Sequence, residues 1–148
     1  MIMLMEKTLF AFALLLVGLC AGSFVNAAVW RIKNKKDLLI DRSECIHCHS
    51  KLAWFDLVPV LSWVALKGRC RQCHKKISLQ YPLVELAVAA FFVGSLAFWP
   101  YGFGQVVNWL EFTIWLFSGI VLALLFVYDL CWLLLPVKII FPLIALAL

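Results

Sequence analysis

The sequence predicts an all-α multi-pass membrane protein with a small cytoplasmic four-cysteine metal-binding loop, and three observations predict it. Hydrophobic residues make up 66% of the 148 positions and charged residues only 14%, far from the balance of a water-soluble domain. Charge-free apolar runs long enough to cross a bilayer recur along the chain. Two Cys-x-x-Cys pairs, Cys45/Cys48 and Cys70/Cys73, fall in the one strongly basic stretch.

Thr8 to Trp30 runs 23 residues without a formal charge. At about 1.5 Å rise per residue it reaches roughly 34 Å, enough for a hydrocarbon core of ~30 Å, so residues 1–30 form the first span. A cleaved signal peptide is disfavoured: the run is long, only Lys7 stands directly before it, and more basic residues follow. Residues 31–82 form a basic domain. Residues 83–148 form a further bundle, with spans at about 83–99 and 111–130. Between them Trp99-Pro100-Tyr101-Gly102-Phe103-Gly104 has the aromatic, Pro and Gly content of a turn at a membrane interface. Another apolar stretch begins near Ile139, but ten residues cover only about 15 Å as helix, so the chain is expected to be incomplete.

Residues 31 to 76 hold 11 of the 13 Lys and Arg against four acids, a net charge of +7. The positive-inside bias places this loop in the cytoplasm, with the amino terminus and residues 99–105 outside and Asp129 near the cytoplasmic end of its span. A reducing compartment argues for metal thiolates over disulfides. Zinc in a structural site is the expected ion, with Cys45, Cys48, Cys70 and Cys73 as ligands and a shell charge offset by Lys51, Arg69, Arg71 and Lys75. His47, His49 and His74 flank the cysteines and are not required as ligands. Cys20 and Cys131, in apolar segments, read as small hydrophobes.

The loop's positive charge would suit a nucleic acid, but juxtamembrane basic residues fix topology and meet anionic lipid head groups. Membrane lipid is therefore the expected partner and nucleic acid is not. Ala53 to Trp63 is unusually apolar for such a loop. It is expected either to lie on the membrane surface or to pack over the metal turns. Asn26, polar in an apolar span, is expected to hydrogen-bond between helices.

Several motifs then occur in order: Gly22-Ser23-Phe24-Val25-Asn26 with Arg31, Arg42-Ser43-x-Cys45-x-x-Cys48, Val58-Pro59-Val60-Leu61-Ser62-Trp63, Lys67-Gly68-Arg69-Cys70-Arg71-x-Cys73, and Tyr81-Pro82-Leu83-Val84-Glu85-Leu86. Together they resemble the amino-terminal portion of the prepilin peptidases, the type IV leader peptidases of pilus and type II secretion systems. Ile46 stands where that family usually has Pro, and His49 and His74 where it often has Gly. The resemblance implies a bacterial inner-membrane aspartic endopeptidase. Such an enzyme cleaves the basic leader of type IV prepilins or pseudopilins and, in many members, methylates the new amino terminus with S-adenosylmethionine.

The family's I-D-x5-L-P-D motif is met by Val127-Tyr128-Asp129 through Leu135-Pro136-Val137, which puts Asp129 at the catalytic position and replaces the motif's last acid by Val137. Aspartic proteolysis needs two carboxyl groups with separated pKa values. The family's second aspartate, in a G-x-G-D motif, has no counterpart in these residues, which again suggests a fragment. Glu111 lies 18 residues from Asp129, roughly 27 Å along one helix, whereas Glu85 is a possible accessory acid at the same end of the bundle. A prepilin helix would pack beside small residues, Ala27, Ala28, Ala87, Ala89 and Ala90. Two other readings stay open: a non-proteolytic zinc-loop protein that binds prepilin or assembly components, and a membrane-anchored thiol redox protein.

Overall fold

The computed structural model describes residues 2–38 and 42–133. The apolar stretch expected near Ile139, together with Pro136 and Val137, lies outside those residues. Three helices among the described residues are long and apolar enough to cross a membrane: α1 (Ile2–Lys33), α3 (Gln80–Phe98) and α4 (Val106–Trp132). Between α1 and α3 the chain forms a lobe with a 3-10 turn η1 (Trp54–Leu57) and the short helix α2 (Leu61–Ala65). No strand occurs among the described residues, only the isolated bridges Glu44–Lys51 and Arg69–Lys76. The all-α class with a four-cysteine cluster is what the structure has.

The helices outrun the charge-free stretches for identifiable reasons. Pro82 sits in the first turn of α3, where its missing N–H has no intrahelical partner to lose, so the helix starts at Gln80 ahead of it. The Ser78 hydroxyl accepts the Gln80 N–H at 3.1 Å. At the other end Pro100 keeps Trp99 extended, at φ −65° and ψ 120°, and α3 stops at Phe98. α4 closes with Leu133 in the left-handed region, its N–H returned to the Asp129 carbonyl.

α1 packs mainly along α3, with α4 against both. Small residues permit the approach: a Cβ at Gly18 would stand 2.7 Å from the Ala89 Cα, and one at Gly22 2.6 Å from the Glu85 Cα. Such close backbone contact is how helices associate where lipid removes the hydrophobic driving force. Leu14, Val88, Phe92, Phe112 and Leu116 form one buried cluster, and Val25, Val29, Val127 and Tyr128 a second. Ala28 and Ala89 are buried in this packing, which leaves Ala87 and Ala90 exposed from the small-residue set.

Outside, the bundle is as apolar as its interior, with Leu9, Phe117, Leu122, Phe126 and Leu130 all exposed. Phe10 meets Phe103 and Trp109 edge-on, placing the turn after α3 beside the beginning of α1. At the opposite end the Lys33 ammonium lies over the Trp132 ring at 5.4 Å. The lobe, the end of α1, the start of α3 and the end of α4 therefore share one end of the bundle.

Candidate metal centre

The two cysteine pairs are built on one plan repeated 25 residues apart. In the first, the Cys45 N–H donates to the Ser50 carbonyl at 3.0 Å, and the His49 N–H to the Cys45 carbonyl at 2.9 Å. In the second, Cys70 donates to Lys75 at 2.9 Å and His74 to Cys70 at 3.0 Å. The flanking bonds match as well, Leu52 to Ser43 and Ile77 to Gly68. Each turn wraps backbone N–H groups toward the space its sulfurs occupy, as an anion-holding turn does. His49 and His74 both have φ 56°, a left-handed conformation that glycine adopts without cost and a Cβ resists.

The four sulfurs lie within 4.8 Å of one another, and Cys45 Sγ and Cys73 Sγ are 3.9 Å apart. With metal–sulfur bonds of about 2.3 Å the edge of a tetrahedron is about 3.8 Å, so the donor set fits a single tetrahedral ion. Cys45 and Cys70 are buried, Cys73 is half-buried and Cys48 is exposed. The Ser50 hydroxyl, 3.0 Å away, and the Ser50 backbone hold the Cys48 thiol down to about 6. Backbone N–H groups of Cys73 and Gln72 also lower Cys70. Cys73 goes the other way: the Lys75 backbone opposes the change, but burial and the three neighbouring sulfurs push it up to about 11. Four thiolates this close repel one another, and a divalent cation among them removes that penalty.

The lobe is tied together by polar contacts. Asp56 accepts from the Arg71 guanidinium at 2.9 Å and 3.0 Å, and Arg71 also lies over the Phe55 ring at 4.8 Å. Arg71, expected to balance the sulfur charge, is thus engaged by η1. The Lys36 ammonium pairs with Glu44 at 2.5 Å, which with His49 holds the Glu44 carboxyl below its ordinary range. Gly68, at φ 66°, leaves room for the Trp63 ring, since a Cβ there would stand 2.7 Å from Trp63 Cζ2. The Trp63 Nε1–H donates to the Ile77 carbonyl at 3.3 Å.

Where the lobe meets the bundle, Arg31 donates to the Leu38 carbonyl and to Ser43 Oγ. Asn26 bridges helices as expected, its Nδ2–H donating to the Tyr81 carbonyl at 3.0 Å. Glu85 is buried and accepts the Val60 N–H at 2.7 Å, with the Ser23 hydroxyl facing the same carboxylate. A cavity of about 450 Å³ opens here, lined by Ser23, Trp30, Asp56, Trp63, Tyr81 and Glu85 among others. Asp129 is half-buried in the last turn of α4, directly after Val127 and Tyr128, which pack on Val25 and Val29. Among the described residues no hydrogen bond joins Glu85 to Asp129. The Glu85–Val60 bond was not legible in the sequence; the only signals were an acid beside an apolar run and a β-branched residue after proline.

A family model described as Bacterial Peptidase A24 N-terminal domain matches residues 16–99, more than half of the chain. The chain belongs to that family. The A24 N-terminal domain match takes in both cysteine turns, Gly22 and Glu85, and ends before Asp129. Relatives include the prepilin leader peptidase/N-methyltransferase of Myxococcus xanthus, 44% identical over 88 residues, covering 60% of this chain and 26% of the relative. That of Vibrio cholerae is 36% identical over 140 residues, covering 89% of this chain and 53% of the relative. A type 4 prepilin-like proteins leader peptide-processing enzyme of Escherichia coli is 40% identical over 101 residues, covering 56% and 38%. The chain thus spans between about a quarter and a half of the length of these relatives. No solved structure matches.

Proposed function

We propose that this A24 N-terminal domain chain is the membrane-anchored, metal-lobe portion of a prepilin leader peptidase/N-methyltransferase of the bacterial inner membrane. The observation that carries the reading is the joint placement of the cysteine cluster and Asp129 at one end of the bundle. In this reading residues 1–30 are the first span, 31–82 the cytoplasmic zinc domain and 83–148 part of the remaining bundle. The substrates are prepilins or pseudopilins.

Cys45, Cys48, Cys70 and Cys73 would hold zinc, which supplies a structural cross-link between the two turns. Asp129 is the catalytic carboxyl. Proteolysis by a carboxyl pair requires a second acid with a different pKa, and Glu85, bound to Val60 and Ser23, serves here as a positioning residue. For methyl transfer, the 450 Å³ cavity is where S-adenosylmethionine would bind. Trp30 and Tyr81 would stack its adenine, and Glu85 would face its positive charge. The apolar part of a prepilin would lie along the bundle, where Ala87 and Ala90 remain exposed.

Asp129→Asn, made in the full-length protein, tests the assignment. Leader cleavage in a gel-shift assay should fall to background while the amount of membrane-inserted protein is unchanged. Cleavage at the unsubstituted rate would remove Asp129 from the active site.

A further inference from the structure

On the lobe side the start of α3 and the end of α4 lie at one level, and α1 runs past them. Cys131 Sγ, in the last turn of α4, donates to Gln80 Oε1 at the start of α3 over 3.3 Å, and Lys33 at the end of α1 caps the Trp132 ring. A cation over a tryptophan is the usual furniture of a head-group region. α3 has 19 residues, about 28 Å of helix, so it needs its full length to cross a core of ~30 Å. Gln80 therefore stands at the boundary, and Glu85, five residues further on, lies about 7.5 Å beneath it.

Val60 is bonded to that buried carboxylate at 2.7 Å, which draws the Val58–Leu61 turn down to the same depth. Val60 sits at φ 59° and ψ −50°, a conformation rarely occupied by a β-branched side chain and one that the surroundings must impose. The turn is fit for an apolar medium. The N–H groups of Leu61, Ser62, Val64 and Leu66 are satisfied within the segment, by the carbonyls of Pro59, Val58, Val60 and Ser62, and that of Val60 goes to Glu85. On its outer side Trp54 is 79% exposed, Leu61 68% and Val64 60%, whereas Trp63 turns inward onto Gly68. Lys67, Arg69 and Lys76 nearby are exposed, a charge complement to anionic head groups.

We propose that Trp54 through Val64 is a monotopic anchor, seated in the head-group and upper acyl region of an anionic phospholipid leaflet beside α3. It resolves the two placements the sequence left open in favour of the membrane surface, and it fixes the height of the metal turns above the bilayer. The inference rests on the reading of α1, α3 and α4 as spans.

The test places the photoreactive residue p-benzoylphenylalanine singly at Trp54, Leu61 or, as reference, Leu122, which is exposed on α4. The full chain is illuminated in nanodiscs of phosphatidylglycerol and phosphatidylethanolamine, and adducts are read by mass. A shift of one phospholipid at Trp54 and Leu61, with a yield comparable to Leu122, is expected. Lipid at Leu122 alone, or adducts at Trp54 and Leu61 only to protein, overturns the anchor and leaves the spans standing. Lipid at none of the three overturns both. A second measurement needs no bulky residue: dibrominated acyl chains should quench the unsubstituted protein more than Trp54→Phe. Equal quenching counts against the anchor.

Discussion

The bundle and the lobe are held by opposite means. Between the helices, buried side chains include Leu14, Val25, Val29, Val88, Phe92, Phe112 and Leu116, and backbone hydrogen bonds close within each helix. In the described part of the lobe the buried side chains are Cys45 and Cys70, while its tryptophans and leucines face outward or are half-covered. A segment of this size with so little apolar burial cannot offset its chain entropy. What remains is cross-linking: the sulfur cluster, Asp56–Arg71, Lys36–Glu44 and the Glu85–Val60 bond. The bundle is held by packing and the lobe by polar contacts around a sulfur cluster that could hold a metal.

Metal removal should break the comparison most sharply. If the proposed metal is held there, chelation, or Cys45→Ser with Cys70→Ser, is expected to abolish bound metal by elemental analysis and to open residues 43–77 to proteolysis, while α1, α3 and α4 keep their helical circular dichroism. Acid should act the same way, because protons compete with the metal for thiolates and binding weakens as pH falls. Retention of protease resistance without metal would mean that the lobe has a core of another kind.

The bundle should answer to packing instead. Gly22→Leu puts a side chain where a single Cβ already stands 2.6 Å from the Glu85 backbone, and overpacking of this sort costs about 1–3 kcal/mol. A lowered unfolding temperature in detergent is expected, with metal content per folded molecule unchanged. The smallest effect belongs to Arg71→Ala. Arg71 is 55% exposed although its Asp56 partner is 9% exposed, so solvent screening holds the loss to about 1 kcal/mol. It should loosen η1, seen as faster amide exchange at residues 53–57, without releasing metal. Loss of metal there would show that the ion pair, and not the sulfur cluster, organises the lobe.

Asp129 was singled out by its sequence motif, and the structure adds its neighbours: Val127 and Tyr128 bury against α1 and leave the aspartate half-exposed at the lobe end. Asn26 was legible as a polar residue that must find a partner across helices, though not that the partner is the Tyr81 carbonyl. Arg71 was assigned to the sulfurs by proximity in sequence, and a carboxylate 15 residues away took it.

The sequence by itself determined the membrane class, the existence of the helices and the four cysteines that could hold a metal. Each of these depends on short-range properties: runs of apolar residues that must satisfy their backbone within one helix, and cysteine pairs whose turn geometry is local. Only the tertiary structure decided that the two turns close on one point, that Gly18 and Gly22 seat α1 against α3, and that Glu85 takes the Val60 N–H. Those outcomes depend on groups far apart in the chain, whose partners are chosen by which backbones can approach and which buried polar atoms are still unsatisfied once the helices have packed.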